Sequence, residues 1–213
     1  MTNNKLEIGK ISKPRFEVRT FGRDFSKAAF LLSRLSVPVP EKVWERTSTE
    51  TYILSKTNDK NNTKIRDGKM DIKTLIQVVD GLEQWNPLMK GEFPIKSEVL
   101  LNDVFPAFMV GMPRLKKDTY SLDEFMEMVK AHPDLQAITV EKERYGYMVN
   151  DTICEFAKVW INGAMVVTVN SESTEPEDIK ATIAALGLEG VENINYLQAA
   201  KRVIGMIDKK LAN

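Results

Sequence analysis

Residues 62–75 read NTKIRDGKMDIKTL, with three lysines, one arginine and two aspartates in fourteen positions. Asp67-Gly68 divides the stretch, and this dipeptide favours a two-residue hairpin turn because it tolerates positive φ at both positions. The flanking residues alternate. Lys64 and Arg66 share one face, with Thr63 and Ile65 on the other; past the turn, Lys69, Asp71 and Lys73 oppose Met70 and Ile72. The stretch therefore predicts two strands, each with a cation-rich face and an apolar face.

The same parity recurs along the chain. Arg15, Glu17 and Arg19 oppose Phe16 and Val18, Lys142 and Arg144 continue the row of Ile138 and Val140, and Thr168, Asn170 and Glu172 oppose Met165, Val167 and Val169. Two architectures satisfy this pattern. In an open antiparallel sheet, helices cover the apolar face and water covers the charged one. In a closed barrel the charged faces turn inward, where mutual repulsion and desolvation are costly. Interleaved carboxylates or a polyanionic ligand would then have to compensate the cations. Arginine offers paired donors to phosphate oxygens and lysine a compact charge, so such a lumen suits a linear phosphate chain.

Composition removes several alternatives. The chain has 213 residues, 43% of them apolar and 28% charged, which suits one globular domain. Its net charge of zero argues against a dedicated nucleic-acid or membrane-surface protein. The single cysteine, Cys154, and single histidine, His132, allow neither an internal disulfide nor a thiolate or paired-imidazole metal site. Cys154 reads as a small core residue and His132 as a loop residue. The start MTNNKLEIGK carries no apolar run and no stretch is long enough to span a bilayer, so a cytoplasmic location is expected. Neither GxGxxG nor GxxxxGK[ST] occurs. Trp44, Trp85 and Trp160 read as core or rim residues.

Strands are predicted at 15–22, 41–55, on both sides of Asp67-Gly68, and at 135–149, 151–163 and 164–173. A helix follows Asp24, a helical insert is expected from about 80 to 135 with a Ser121-x-x-Glu124 capping box, and two helices close the chain, the first capped at Thr174. The count of about seven strands and five helices indicates an α+β fold.

The order of these segments resembles the CYTH superfamily, the triphosphate tunnel metalloenzymes. Its opening Glu-x-Glu-x-Lys strand is matched by FEVR, its Arg-containing strand by TKIRDG, and its Leu-Thr-x-Lys strand by MDIKTL. VEKERYGY stands for the later Lys-x-Arg strand and INGAMVVTVNSES for the last strand, so the resemblance spans roughly 14–205. It implies an eight-stranded antiparallel β-barrel, a tunnel with flanking helices. Lysines and arginines would grip a triphosphate, and glutamates would hold Mg²⁺ or Mn²⁺. Carried over by position, Arg15, Arg19, Lys64, Arg66, Lys73, Lys142 and Arg144 would bind phosphate, while Glu17 and Glu172 would serve the metal and catalysis. The chain departs from the pattern at Arg15, where the first glutamate belongs, and at Thr168 and Asn170 in the last strand. The anion-gripping half is kept and the metal half reduced. The expected activity is binding and hydrolysis of inorganic tripolyphosphate or a nucleoside or thiamine triphosphate, with adenylyl cyclase chemistry ranked lower. The alternative is a phosphate-chain or nucleotide-binding module without turnover. A homo-oligomer is compatible with either.

Overall fold

The computed structural model describes residues 14–211. Its strands are β1 (Arg15–Gly22), β2 (Glu45–Ser55), β3 (Asn61–Arg66), β4 (Lys69–Val79), β5 (Leu82–Glu92), the short pair β6 (Ile95–Lys96) and β7 (Thr119–Tyr120), β8 (Leu135–Val149), β9 (Thr152–Ile161) and β10 (Ala164–Ser173). The helices are α1 (Ser26–Leu35), α2 (Glu41–Trp44), α3 (Ser97–Val99), which runs through a π-helical segment (Leu100–Val104) into α4 (Phe105–Phe108), α5 (Leu122–Ala131), α6 (Pro176–Ala185) and α7 (Tyr196–Val203).

Eight strands close into an antiparallel barrel in the order β1-β10-β9-β8-β2-β3-β4-β5. Of the two architectures compatible with the strand parity, the molecule adopts the closed one, an α+β fold whose barrel has no edge strand. Four two-residue turns with positive φ at both positions draw neighbouring strands together: Asp67-Gly68, Asp80-Gly81, Asn150-Asp151 and Asn162-Gly163. That turn geometry matches the natural twist of the strands it joins.

The helical expectation for 80–135 holds only from Ser97 onward. Its first part is β5, reached through Asp80-Gly81, the same turn chemistry that marks the β3–β4 hairpin. Pro87 hides the strand in the sequence, because proline cannot donate to a ladder; here it pairs with Lys73 directly after a register shift, where the ladder is already irregular. The long strand expected over 41–55 begins only at Glu45, after the helical turn α2. The Ser121 capping box forms as expected. Asp24 instead accepts from the Ser26 amide one position ahead of the cap, and α6 begins without a side-chain cap at Thr174.

Three large apolar layers, and a smaller cluster of Phe16, Leu82 and Ile179, hold the barrel. Helices α3 to α5 cover the β2–β4 wall through Phe105, Phe108 and Phe125, which pack on Ile53, Ile65 and Ile72. Helix α1 and the segment after α6 cover the β8–β10 wall around Leu32, Tyr147 and Val169. The third layer lies inside the barrel. Phe21, Tyr52, Ile138, Val140 and Val166 meet Tyr196, Leu197, Ala199 and Ala200 of α7, which fills one end. Cys154 is fully buried in the second layer.

Candidate functional site

The nine charged residues carried over by position as phosphate- or metal-binding reach the same place. Arg15, Glu17 and Arg19 of β1, Lys64 and Arg66 of β3, Lys73 of β4, Lys142 and Arg144 of β8, and Glu172 of β10 line one cavity of about 240 Å³ inside the barrel. The cause is the period of two in extended backbone: once the apolar rows pack outward against the helices, the alternate positions face the lumen. The upper half of the interior is thus polar and the lower half, above α7, apolar.

Glu50 of β2 lies at the centre with its side chain wholly shielded. Its carboxylate accepts from Lys142 Nζ at 2.8 Å and from Arg66 Nη1 at 3.2 Å, with Lys64 Nζ at 3.9 Å. Burial opposes its ionisation, but Lys142 and Lys64 outweigh that and hold its pKa far below the ordinary carboxylate range. Lys142 also donates to the Tyr52 hydroxyl at 2.9 Å and lies 4.0 Å from the centre of the Tyr196 ring. Burial pulls its pKa down to about 7, with Lys64 and Arg144 pushing the same way and Glu50 resisting. One carboxylate therefore serves three cations.

Glu17 and Glu172 stand opposite each other in the β1–β10 ladder. Glu17 Oε1 accepts from Arg19 Nε at 2.7 Å, and Glu172 Oε1 from Arg15 Nη1 at 3.1 Å. Burial raises the pKa of Glu172, and the facing Glu17 raises it further. Burial also works on Glu17, but Arg19 and Lys73 hold its pKa below the usual value. Of the pair, Glu17 carries the charge more readily. Glu155 of β9 is held between Arg46 at 3.2 Å and Arg19 at 3.6 Å.

Cations remain in excess. Nine cationic side chains line the cavity, Arg46 and Lys90 among them; four carboxylates share the lining and Glu50 makes a fifth. Among the described residues, Lys73, Lys90 and Arg144 have no carboxylate within ion-pair distance. Nε of Arg46, Nε of Arg144 and the Tyr196 hydroxyl are buried without a hydrogen-bond partner. Native structures leave few such groups, since each forfeits about 1–3 kcal/mol. All three belong to residues that line the cavity.

The carboxylates fit a divalent cation only in a limited sense. Among the described residues no group of three His, Cys, Asp or Glu side chains could cage one. A hard cation that shares its coordination with phosphate oxygens and water needs only one or two carboxylates, and Glu17 facing Glu172 meets that requirement.

Sequence reasoning did not find Glu50, Arg46, Tyr52 or Tyr196. The row Arg46-x-Ser48-x-Glu50-x-Tyr52 alternates like the others, but it is short of charge, and β2 reads as a Thr-rich strand. Tyr196 comes from a helix and reaches the lumen through tertiary packing.

Neither a family sequence profile nor a curated protein sequence matches the chain. Solved structures with a related shape include a candidate adenylate cyclase from Bacillus halodurans, at 15% identity and TM-score 0.46 over 85% of this chain and 94% of that one. A conserved hypothetical protein from Pyrococcus furiosus shows 15% identity and TM-score 0.46 over 86% and 98%. A candidate adenylyl cyclase from Hippeastrum, titled as revealing a dominant triphosphatase activity, shows 13% identity and TM-score 0.39 over 82% and 88%. These are likenesses of shape at low identity; the strand order of the barrel and the residues of its lumen carry the functional argument by themselves.

Proposed function

We propose that the barrel binds a linear triphosphate or polyphosphate anion in its lumen. The observation that carries this is the set of cations facing one cavity with too few carboxylates, Lys73 and Arg144 having none among the described residues. In a shielded site like charges repel strongly, and a polyanion converts that repulsion into attraction. Arg15, Arg19, Lys64, Arg66, Lys73, Lys142 and Arg144 are the phosphate-binding residues of this reading. Tripolyphosphate, a nucleoside triphosphate and thiamine triphosphate share the chemistry the lumen selects.

A second reading, metal-assisted hydrolysis, is favoured by one observation: Glu17 and Glu172 face each other and repel. With a phosphate chain in place, they would hold Mg²⁺ or Mn²⁺, which would supply charge neutralisation and an activated water. The chain's own contribution would be orientation of the phosphates and stabilisation of charge by Arg19, Lys73 and Arg144.

Thermal unfolding with tripolyphosphate, in EDTA or in Mn²⁺, together with phosphate release, tests both. At a hundredfold excess over Kd the ligand adds about 2.7 kcal/mol, equivalent to roughly 5–10 °C for a chain of this size. Stabilisation in EDTA without release supports binding alone, and release that requires Mn²⁺ supports hydrolysis. No shift in either condition would overturn the proposal.

A further inference from the structure

The stretch VEKER at 140–144 alternates in the sign of its charges. Lys142 and Arg144 turn into the lumen, which leaves Glu141 and Glu143 on the outer face of β8. The register carries that outer row across four strands: Thr49 lies opposite Glu141, Glu141 opposite Trp160, and Trp160 opposite Met165. The next row holds Thr47, Glu143 and Lys158. Opposed residues of neighbouring strands stand about 5 Å apart, so these side chains form one surface. The apolar layer under α1 extends along this wall as far as Tyr145 and Phe156, whereas Trp160 and Met165 belong to no apolar cluster of the described residues. Met165 is 55% exposed.

This bare wall is not flat. Thr47, Thr49, Glu141, Glu143 and Trp160 line a hollow of about 410 Å³ on the opposite side of the sheet from the lumen. Its chemistry is the reverse of the lumen's. Lys158 Nζ lies 3.2 Å from Glu143, while Glu141 has no ion-pair partner among the described residues. Beside Glu141 stands Trp160, half-buried, with no ring or cation stacked on it among the described residues. An open carboxylate next to an indole selects an organic cation, which the ring quadrupole attracts and the carboxylate neutralises. Guanidinium suits the pair better than ammonium, because it stacks flat on an aromatic face while donating in its own plane. The same acidic wall repels a phosphate-bearing partner, and the cation-lined lumen repels a basic one.

We propose that this outer wall docks an arginine-containing basic segment of a partner protein, with one guanidinium stacked on Trp160 and paired with Glu141. The site stands independently of the phosphate-binding reading, since the two ligands carry opposite charge and occupy opposite faces of the same sheet.

Titration of acetyl-hexa-arginine amide into the ¹⁵N-labelled protein, followed by NMR, tests the inference. Of the three tryptophan indole N–H signals, the one missing from Trp160→Thr should be the one that shifts. Hexa-lysine should bind about threefold more weakly than hexa-arginine. Glu141→Gln and Trp160→Thr should each weaken hexa-arginine about threefold, as expected of an exposed ion pair or cation–π contact, and the two together about tenfold. Threonine suits an exposed strand face, so Trp160→Thr should stay folded, which urea unfolding checks; Glu141→Gln probes the same contact without altering the aromatic residue. Glu127→Gln removes an acid of α5, away from this wall, and should leave the affinity unchanged. No binding of hexa-arginine, a shift confined to another indole, equal affinity for hexa-lysine, or an equal loss in Glu127→Gln and Glu141→Gln would each overturn the inference.

Discussion

Replacing Glu50 by glutamine removes the one carboxylate that three cations share while barely changing volume. Lys142 would be left 4% exposed without its 2.8 Å partner, and Arg66 without its 3.2 Å one. Removing one member of a buried ion pair costs about 3–5 kcal/mol when the remaining charge cannot escape. Lys142 can escape in part by losing its proton, since its pKa in the intact protein is already about 7. Without Glu50 the Lys142 pKa falls further. Below pH 7 the wild type then binds a proton on Lys142 that the variant lacks, so the deficit of the variant grows by up to about 1.4 kcal/mol per pH unit as pH falls. Above pH 7 the lysine is neutral in both proteins and the difference is smallest. Urea unfolding of wild type and Glu50→Gln at pH 6 and pH 8.5 measures this. The expected result is a deficit about 1.4 kcal/mol larger at pH 6 than at pH 8.5, relieved by tripolyphosphate more strongly in the variant than in the wild type. Equal stability at both pH values, or a deficit that grows with rising pH, would refute the assignment of Glu50 as the counter-charge of a buried lysine.

Glu172→Gln should strengthen tripolyphosphate binding in EDTA by severalfold, because a carboxylate beside the ligand is neutralised; under the hydrolytic reading it should also abolish any Mn²⁺-dependent phosphate release, which a colorimetric assay follows. Ser121→Ala should lower stability by about 1 kcal/mol through loss of the α5 cap and leave binding unchanged, as chemical denaturation and calorimetry would show. Gly68→Ala should cost roughly 1–2 kcal/mol in the same denaturation assay; a Cβ there meets nothing within 4 Å, so the cost comes from φ of +69° alone.

The lumen was legible in the sequence because parity survives folding. Lys64, Arg66 and Lys73 had to share a face whichever way the sheet closed, and the row Arg15, Glu17, Arg19 met them there. Closure itself was not legible from the residues alone, since an open sheet and a barrel demand the same alternation; only the resemblance of segment order pointed to a tunnel. The eighth strand was obscured by Pro87 and Gly91, which lower strand propensity at a place where the ladder is broken by a register shift in any case. Glu50 escaped notice because one glutamate among threonines carries no local pattern, and its importance arises from cations on β3 and β8 converging on it. The filled end of the barrel depends on α7 folding back into it, a contact between residues far apart in the chain. The N-terminal reading that led to the cytoplasmic expectation concerns residues outside the described part of the chain, and within that part no helix is long and apolar enough to cross a membrane.

The measurement that tests the central claim most directly is calorimetric titration of tripolyphosphate, in EDTA, into the wild type and into the double variant Lys73→Gln/Arg144→Gln. Hydrogen bonds to charged groups contribute about 1.5–3 kcal/mol each, so losing two should weaken binding by at least a hundredfold. Neither residue has an ion-pair partner among the described residues to be left behind, so the double variant should unfold no earlier than the wild type. One site per chain in the wild type with that loss in the variant is the expected result. Equal affinity in the two proteins, or no binding to the wild type, would contradict the account.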